Sequence, residues 1–233
     1  MQHTYQATIK RRLRMKKIFN IVICYTIAVL GILATLYKVK YEGGFITCFR
    51  ELTVNGTIIS SLLAFIYAIV NHIECVLDKE FEYRLFYYLR LSAVVTEFII
   101  LLIVCIGNLP FIPDRPLINR FDMWNMHLII PVLTILSFVF HDPPIGKLAP
   151  RMRWTGVTFI GIYCVFIILC ILTGIIPEVQ IPYSFLNFCK YPLWYPALVA
   201  GVVCGWSYLL SWLFSELNRK AAWLWFKDIV PKA

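Results

Sequence analysis

Apolar residues in this sequence fall in six uninterrupted blocks, at 17–37, 52–76, 85–107, 122–140, 154–176 and 194–214. The hydrocarbon core of a bilayer takes roughly 20 helical residues, and each block has about that length. Backbone N–H and C=O groups cannot stay unpaired in lipid, so only helices and closed barrels cross it. The blocks are continuous rather than alternating, which selects helices. Composition agrees: 60% of residues are hydrophobic and 15% charged, against roughly 45–50% and 25% in soluble domains. The expected fold is all-α and polytopic, with six transmembrane helices in residues 17–214. A basic segment, 1–16, precedes them and an amphipathic segment, 215–233, follows.

Charge gives the orientation. The net charge of +9 invites a nucleic-acid reading, but its distribution along the chain argues against one. Lys10, Arg11, Arg12, Arg14, Lys16 and Lys17 precede or open the first span, as a topology signal and an anionic-lipid contact would. With the N-terminus cytoplasmic, that side also holds Lys79, Arg84, Arg90, Lys147, Arg151, Arg153, Arg219, Lys220, Lys227 and Lys232. The other side holds Lys38, Lys40, Arg50, Arg115, Arg120 and Lys190. Sixteen against six implies both termini inside and an even number of spans. Past residue 214, Trp223, Leu224, Trp225 and Phe226 mix with Asn218, Arg219, Lys220 and Lys227, which reads as a helix lying in the cytoplasmic interface.

The first apolar run is too long for a signal peptide and lacks a small-residue cleavage site, so it is read as a retained span. The plasma membrane is then the default location. Eight cysteines show no metal-ligand spacing, and no metal or cofactor is expected. Six lie in spans as packing residues; Cys48 and Cys189 lie in connecting segments on one side, where a disulfide is open to them. No internal repeat is visible, which argues against a secondary transporter.

Two intramembrane ionisable residues stand out, because such groups are expensive in lipid and mark function. His127 lies about a turn inside the outer end of the fourth span, four residues before Pro131. It is either a functional imidazole or a headgroup-level side chain. Glu97 lies near the middle of the third span, expected protonated or hydrogen-bonded to a neighbouring helix, in a structural or supporting role. Thr53 opens the second span at the depth of His127. A hydroxyl and an imidazole at one level can form a nucleophile–base pair. Thr57, Ser60, Ser61, Ala64 and Ala68 continue from Thr53 at helical spacing, a small-residue stripe that lets helices approach closely. His141 and Asp142 read as interfacial caps, and Tyr191 and Trp194 either anchor at headgroup depth or wall an outer pocket.

Phe49-Arg50-Glu51-Leu52-Thr53, then Asn125-Met126-His127 with Pro131, then Tyr191-Pro192 resemble, in order and spacing, three landmarks of the androgen-induced / FAHFA hydrolase family of membrane proteins and its microbial relatives. The resemblance implies a six-span intramembrane hydrolase of lipid esters, such as fatty acid esters of hydroxy fatty acids, with Thr53 as nucleophile and His127 as base. The chain departs from the pattern in the position of Asn125, two residues before His127. It departs again after Tyr191-Pro192, which continues Leu-Trp-Tyr-Pro. Both departures bear on substrate identity more than on the pair. Asp122, Asn125 or a backbone carbonyl is left to orient the ring, and Asn55 and Asn125 are candidate oxyanion donors. The expected partners are a lipid substrate and membrane lipids; homo-oligomerisation is left open. The competing readings are a non-catalytic lipid-binding or regulatory bundle, an acyltransferase using the same pair, and a proton-coupled transporter built on Glu97.

Overall fold

A computed structural model describes residues 2–42, 44–78, 81, 84–108, 120–177, 180–181, 191–192 and 194–226. The described residues form helices without strands: α1 (Gln2–Glu42), α2 (Phe45–Phe49), α3 (Leu52–Leu77), α4 (Arg84–Leu102), α5 (Phe121–Trp124), α6 (Ile130–Leu136), α7 (Thr158–Leu172) and α8 (Trp194–Phe226). α4 continues into a π-helical turn, Ile103–Asn108, and a 3₁₀ stretch, Pro150–Val157, leads into α7. Among the described residues six helices are long and apolar enough to cross a membrane: Lys10–Glu42, Leu52–Leu77, Arg84–Cys105, Phe121–His141, Pro150–Leu172 and Leu198–Leu224. These are the six expected spans. Cys189 and Lys79, Arg115, Lys190, Lys227 and Lys232 lie outside the described residues.

The bundle is packed around α4, whose side chains from Tyr87 to Ile100 are largely buried. Leu91, Val94 and Val95 meet Phe138 of the fourth span and Leu210 and Phe214 of α8 in the largest apolar cluster. α1 lies along α3, where Cys24 and Ile27 meet Ala64, Tyr67 and Ala68. Large apolar side chains on the outer surface, among them Val22, Ile32, Leu62, Ile162, Val165 and Trp206, are exposed, as suits helices solvated by lipid.

Lipid is as apolar as leucine, so helices in it associate through close packing rather than hydrophobic burial. Two glycines show this. A methyl built on Gly31 of α1 would overlap Ser61 of α3, and one on Gly156 would overlap Ser211 of α8. The stripe from Thr53 to Ala68 is accordingly buried, with Ser61 donating to the Ile27 carbonyl at 3.4 Å.

The fourth span is not a plain α-helix. Pro131 has no N–H, and its ring clashes with the carbonyl four residues back. The helix widens there into a π turn over Asn125–Ile129, with the Ile130 N–H donating to the Asn125 carbonyl. A second π turn, Ser137–His141, closes with the Asp142 N–H on the Ser137 carbonyl at 3.2 Å.

α8 runs unbroken to Phe226, with Ser215, Asn218, Ala221 and Ala222 buried against the bundle, so residues 215–226 continue the helix of the last span. Arg90, counted above with the cytoplasmic charge, lies inside α4 and is only 2% exposed, so it drops out of the charge that orients the chain.

Candidate functional site

Thr53 sits in the first turn of α3, after Glu51 at the N-cap, and is 6% exposed. His127 sits in the π turn of the fourth span and is partly buried. Their sequence neighbours Val54 and Met126 pack together with Ala34 and Cys48 in one buried cluster. The two helices therefore adjoin at the depth where each carries its polar residue. Among the described residues no hydrogen bond joins the Thr53 hydroxyl to the His127 ring.

The imidazole has a defined partner. His127 Nδ1 lies 3.0 Å from the Met123 carbonyl oxygen. A carbonyl can only accept, so Nδ1 carries the hydrogen and Nε2 keeps its lone pair. Of the three candidates for orienting the ring, the backbone carbonyl makes the contact. Asp122 is held elsewhere, in a two-point bond from Arg120: Nε to Oδ1 at 3.0 Å and Nη2 to Oδ2 at 2.7 Å. Asn125 donates to the Phe121 carbonyl at 2.7 Å.

Charged side chains close this end of the bundle. Lys38 of α1, 3% exposed, bridges Glu42 at 2.9 Å and Glu51 at 3.1 Å. Arg120 reaches Glu42 at 4.0 Å and Asp122 at 2.7 Å, with its guanidinium 3.7 Å from the centroid of the Tyr41 ring. The chain Glu51–Lys38–Glu42–Arg120–Asp122 ties the end of α1 to the starts of α3 and the fourth span. It ends two residues before Thr53 on one side and five before His127 on the other. Lys38 and Asp122 act electrostatically on the imidazole. Cys48 is a buried free thiol beneath this layer; burial, helped by the Glu42 and Glu51 carboxylates, pushes its pKa up.

The other expected site residues take structural positions. Asn55 spends both amide hydrogens on the chain reversal before α3, donating to the carbonyls of Phe49 at 2.5 Å and Glu51 at 2.9 Å. It is not a free oxyanion donor. Tyr191 stacks on Tyr195 at 4.5 Å, and Trp194 is 64% exposed, as an anchoring pair would be. A cavity of about 100 Å³ lies along another face of α3, lined by Leu52, Asn55, Gly56, Thr96, Tyr163 and Phe166 among others; Thr53 and His127 do not line it. Glu97 is fully buried between α3 and α4 beside Gly56 and Ser60, with no hydrogen-bond partner on either carboxyl oxygen. Its carboxyl lies 3.7 Å from a Cβ built on Gly56, one helical turn along α3 from Thr53.

The sequence reading missed the polar cluster at the opposite end. Arg90 Nε donates to Asp142 Oδ2 at 2.7 Å and its Nη2 to Ser137 Oγ at 2.7 Å. Asn20 Nδ2 donates to Asp142 Oδ1 at 3.0 Å, and Ser137 Oγ to Asn20 Oδ1 at 2.6 Å. Asn218 of α8 donates to the Asp142 carbonyl at 3.0 Å, and Tyr67 of α3 lies under the Arg90 guanidinium at 4.9 Å. Five helical segments meet there. The signal was present: an arginine inside an apolar block needs an opposite charge at its depth, and Asp142 closes the neighbouring antiparallel span.

The fold and its two polar ends define a class, a six-span helical membrane bundle with buried charge at both ends. Comparison with protein families, with curated proteins and with solved structures returned no match.

Proposed function

We propose that this chain is an intramembrane lipid ester hydrolase, with Thr53 as nucleophile and His127 as general base. The observation that carries the reading is the Nδ1–H bond from His127 to the Met123 carbonyl, which leaves Nε2 as a proton acceptor at the depth of Thr53. The resemblance of the Thr53, His127 and Tyr191-Pro192 landmarks to the androgen-induced / FAHFA hydrolase family supports the same reading. So does the π turn that carries His127, a distortion frequent at functional sites.

In the proposed reaction, Thr53 Oγ1 attacks the ester carbonyl carbon as its proton passes to His127 Nε2. The tetrahedral intermediate collapses, the alcohol leaves with that proton, and the acyl group stays on Thr53. Water then gives a proton to Nε2, its oxygen attacks the acyl carbon, and the acid departs as Thr53 regains its hydrogen. Glu51 makes no side-chain bond to the first turn of α3, so the backbone N–H groups of Thr53 and Val54 are candidates for holding the oxyanion. Hydroxyl and ring come into contact when substrate binds, as catalytic hydrogen bonds that are long in the free enzyme do.

The substrate class is a long-chain acyl ester, entering from the bilayer. Both termini are cytoplasmic in this proposal and the pair faces the outer leaflet of the plasma membrane. The missing Thr53–His127 bond favours a second reading, a lipid-binding bundle without turnover. Purified protein in detergent separates the two. The hydrolase releases fatty acid from an acyl ester and is labelled at Thr53 by a fluorophosphonate, and Thr53→Ala and His127→Ala each lower turnover by at least about a hundredfold. Full activity in both variants refutes the assignment. An alcohol acceptor that raises turnover identifies an acyltransferase instead.

A further inference from the structure

Arg153 opens the fifth span at the end of the bundle that carries Arg90, and among the described residues its guanidinium is held by rings alone. Its Cζ lies 5.7 Å from the centroid of Tyr208 and 5.9 Å from that of Trp212, both on α8. Its Nε is buried with no hydrogen-bond partner, and among the described residues no carboxylate pairs with it. An arginine is a planar fork of five donors that matches a phosphate with two parallel bonds. Leaving the buried Nε donor unmet at the edge of a membrane is unfavourable.

The next residue begins an apolar trough. Trp154 packs on Tyr208 at 5.2 Å. From its ring a groove of about 660 Å³ runs along one face of α7 through Val157, Gly161, Ile162, Phe166 and Leu169. Gly161 deepens its middle, where a built Cβ would meet only Val157, at 3.8 Å. From Trp154 to Leu169 the helical rise is about 22 Å. That is enough to carry a chain from headgroup level past the midplane of a hydrocarbon core roughly 30 Å thick. Arg151 and Lys147, both exposed, add positive charge at the same end.

We propose that Arg153 and the α7 groove form a binding site for one anionic phospholipid, with the phosphate on the guanidinium beside Tyr208 and Trp212 and an acyl chain in the trough. The charge complementarity selects an anionic headgroup over a zwitterionic one. The length of the groove selects a long-chain lipid over a free phosphate. The site is separate from Thr53 and His127 and stands whether or not they catalyse.

The test is retention of lipid by the full-length protein in detergent, read by native mass spectrometry. Protein is loaded from mixed vesicles of equal phosphatidylglycerol and phosphatidylcholine. Wild type is expected to keep one phosphatidylglycerol per chain, enriched about tenfold over phosphatidylcholine. Arg153→Gln should bind both lipids equally. Gly161→Leu, which fills the trough and leaves the guanidinium intact, should lose the long-chain lipid. Circular dichroism and size exclusion establish that each variant is folded, and Arg151→Gln is the surface-charge control. Equal retention of the two lipids by wild type overturns the site, as does undiminished phosphatidylglycerol retention by Arg153→Gln. Competition by glycerol phosphate as effective as by the long-chain lipid overturns the role of the groove.

Discussion

Arg90 is the residue whose position the packing explains most completely. A guanidinium buried in a bundle is tolerated only when its charge and donors are met, and here Asp142, Ser137 and the Tyr67 ring meet them. Removing one partner leaves the other charge stranded, which costs about 3–5 kcal/mol, whereas replacing both by apolar residues is far milder. Arg90→Met and Asp142→Leu should therefore each lower the thermal midpoint in detergent strongly, and the double variant should recover much of the loss. Purely additive losses would refute the pairing. Cys48 gives a second expectation at this scale. A buried thiol with a raised pKa holds little thiolate at pH 7 and gains it only as pH rises. Maleimide should therefore modify Cys48 slowly in the folded protein and quickly after denaturation, measured by mass shift.

The fourth span is the element where sequence and mechanism meet. Pro131 is legible in the sequence, and so is the imidazole four residues before it, but the π turn between them is a geometric consequence that hydropathy does not report. Restoring an N–H with Pro131→Ala should let the segment relax toward α-helix and move the His127 ring from the Met123 carbonyl. Ester turnover is expected to fall at least about tenfold, while the melting temperature stays level or rises. A Pro131→Ala protein with unchanged turnover would separate the π turn from function. Element ends were harder to read than element identity. Hydropathy detects apolar blocks, so it began the first span at residue 17. The helix itself starts at Gln2, since lysine and arginine are good helix formers in water. The same bias ended the last span near residue 214, although α8 continues through Asn218, which is buried because it caps the loop carbonyls at Asp142. Arg90 was counted with the cytoplasmic charge for a related reason: a count of basic residues does not distinguish a topology signal from half of an internal ion pair.

At the scale of the molecule, each end of the bundle is fastened by charge and the middle by small residues. The Lys38 layer ties α1, α3 and the fourth span together above Thr53 and His127, and the Arg90 cluster ties the other end. Lys38→Met should leave Glu51 unpaired, and Glu42 with only its 4.0 Å contact to Arg120, and loosen the first turn of α3. Hydrogen exchange at residues 51–56 should quicken while exchange in α4 stays protected. Uniform acceleration through the bundle would instead mean that the layer supports global stability. Thr53 and His127 are candidates from the sequence because their chemistry and expected depth coincide; the ion pairs that close the bundle beside them were not legible there. Those pairs join residues as distant in sequence as Glu42 and Arg120 only once the helices have packed.

α1 is 41 residues of unbroken helix, a rod about 60 Å long at 1.5 Å per residue. It is twice the thickness of the hydrocarbon layer it crosses. Its two ends are gripped by ion pairs, Lys10 to Asp78 on one face and Lys38 to Glu51 on the other. A rod of that length, tied to α3 near both of its ends, makes the two faces mechanically continuous, so a tilt of its first turns is felt at Lys38.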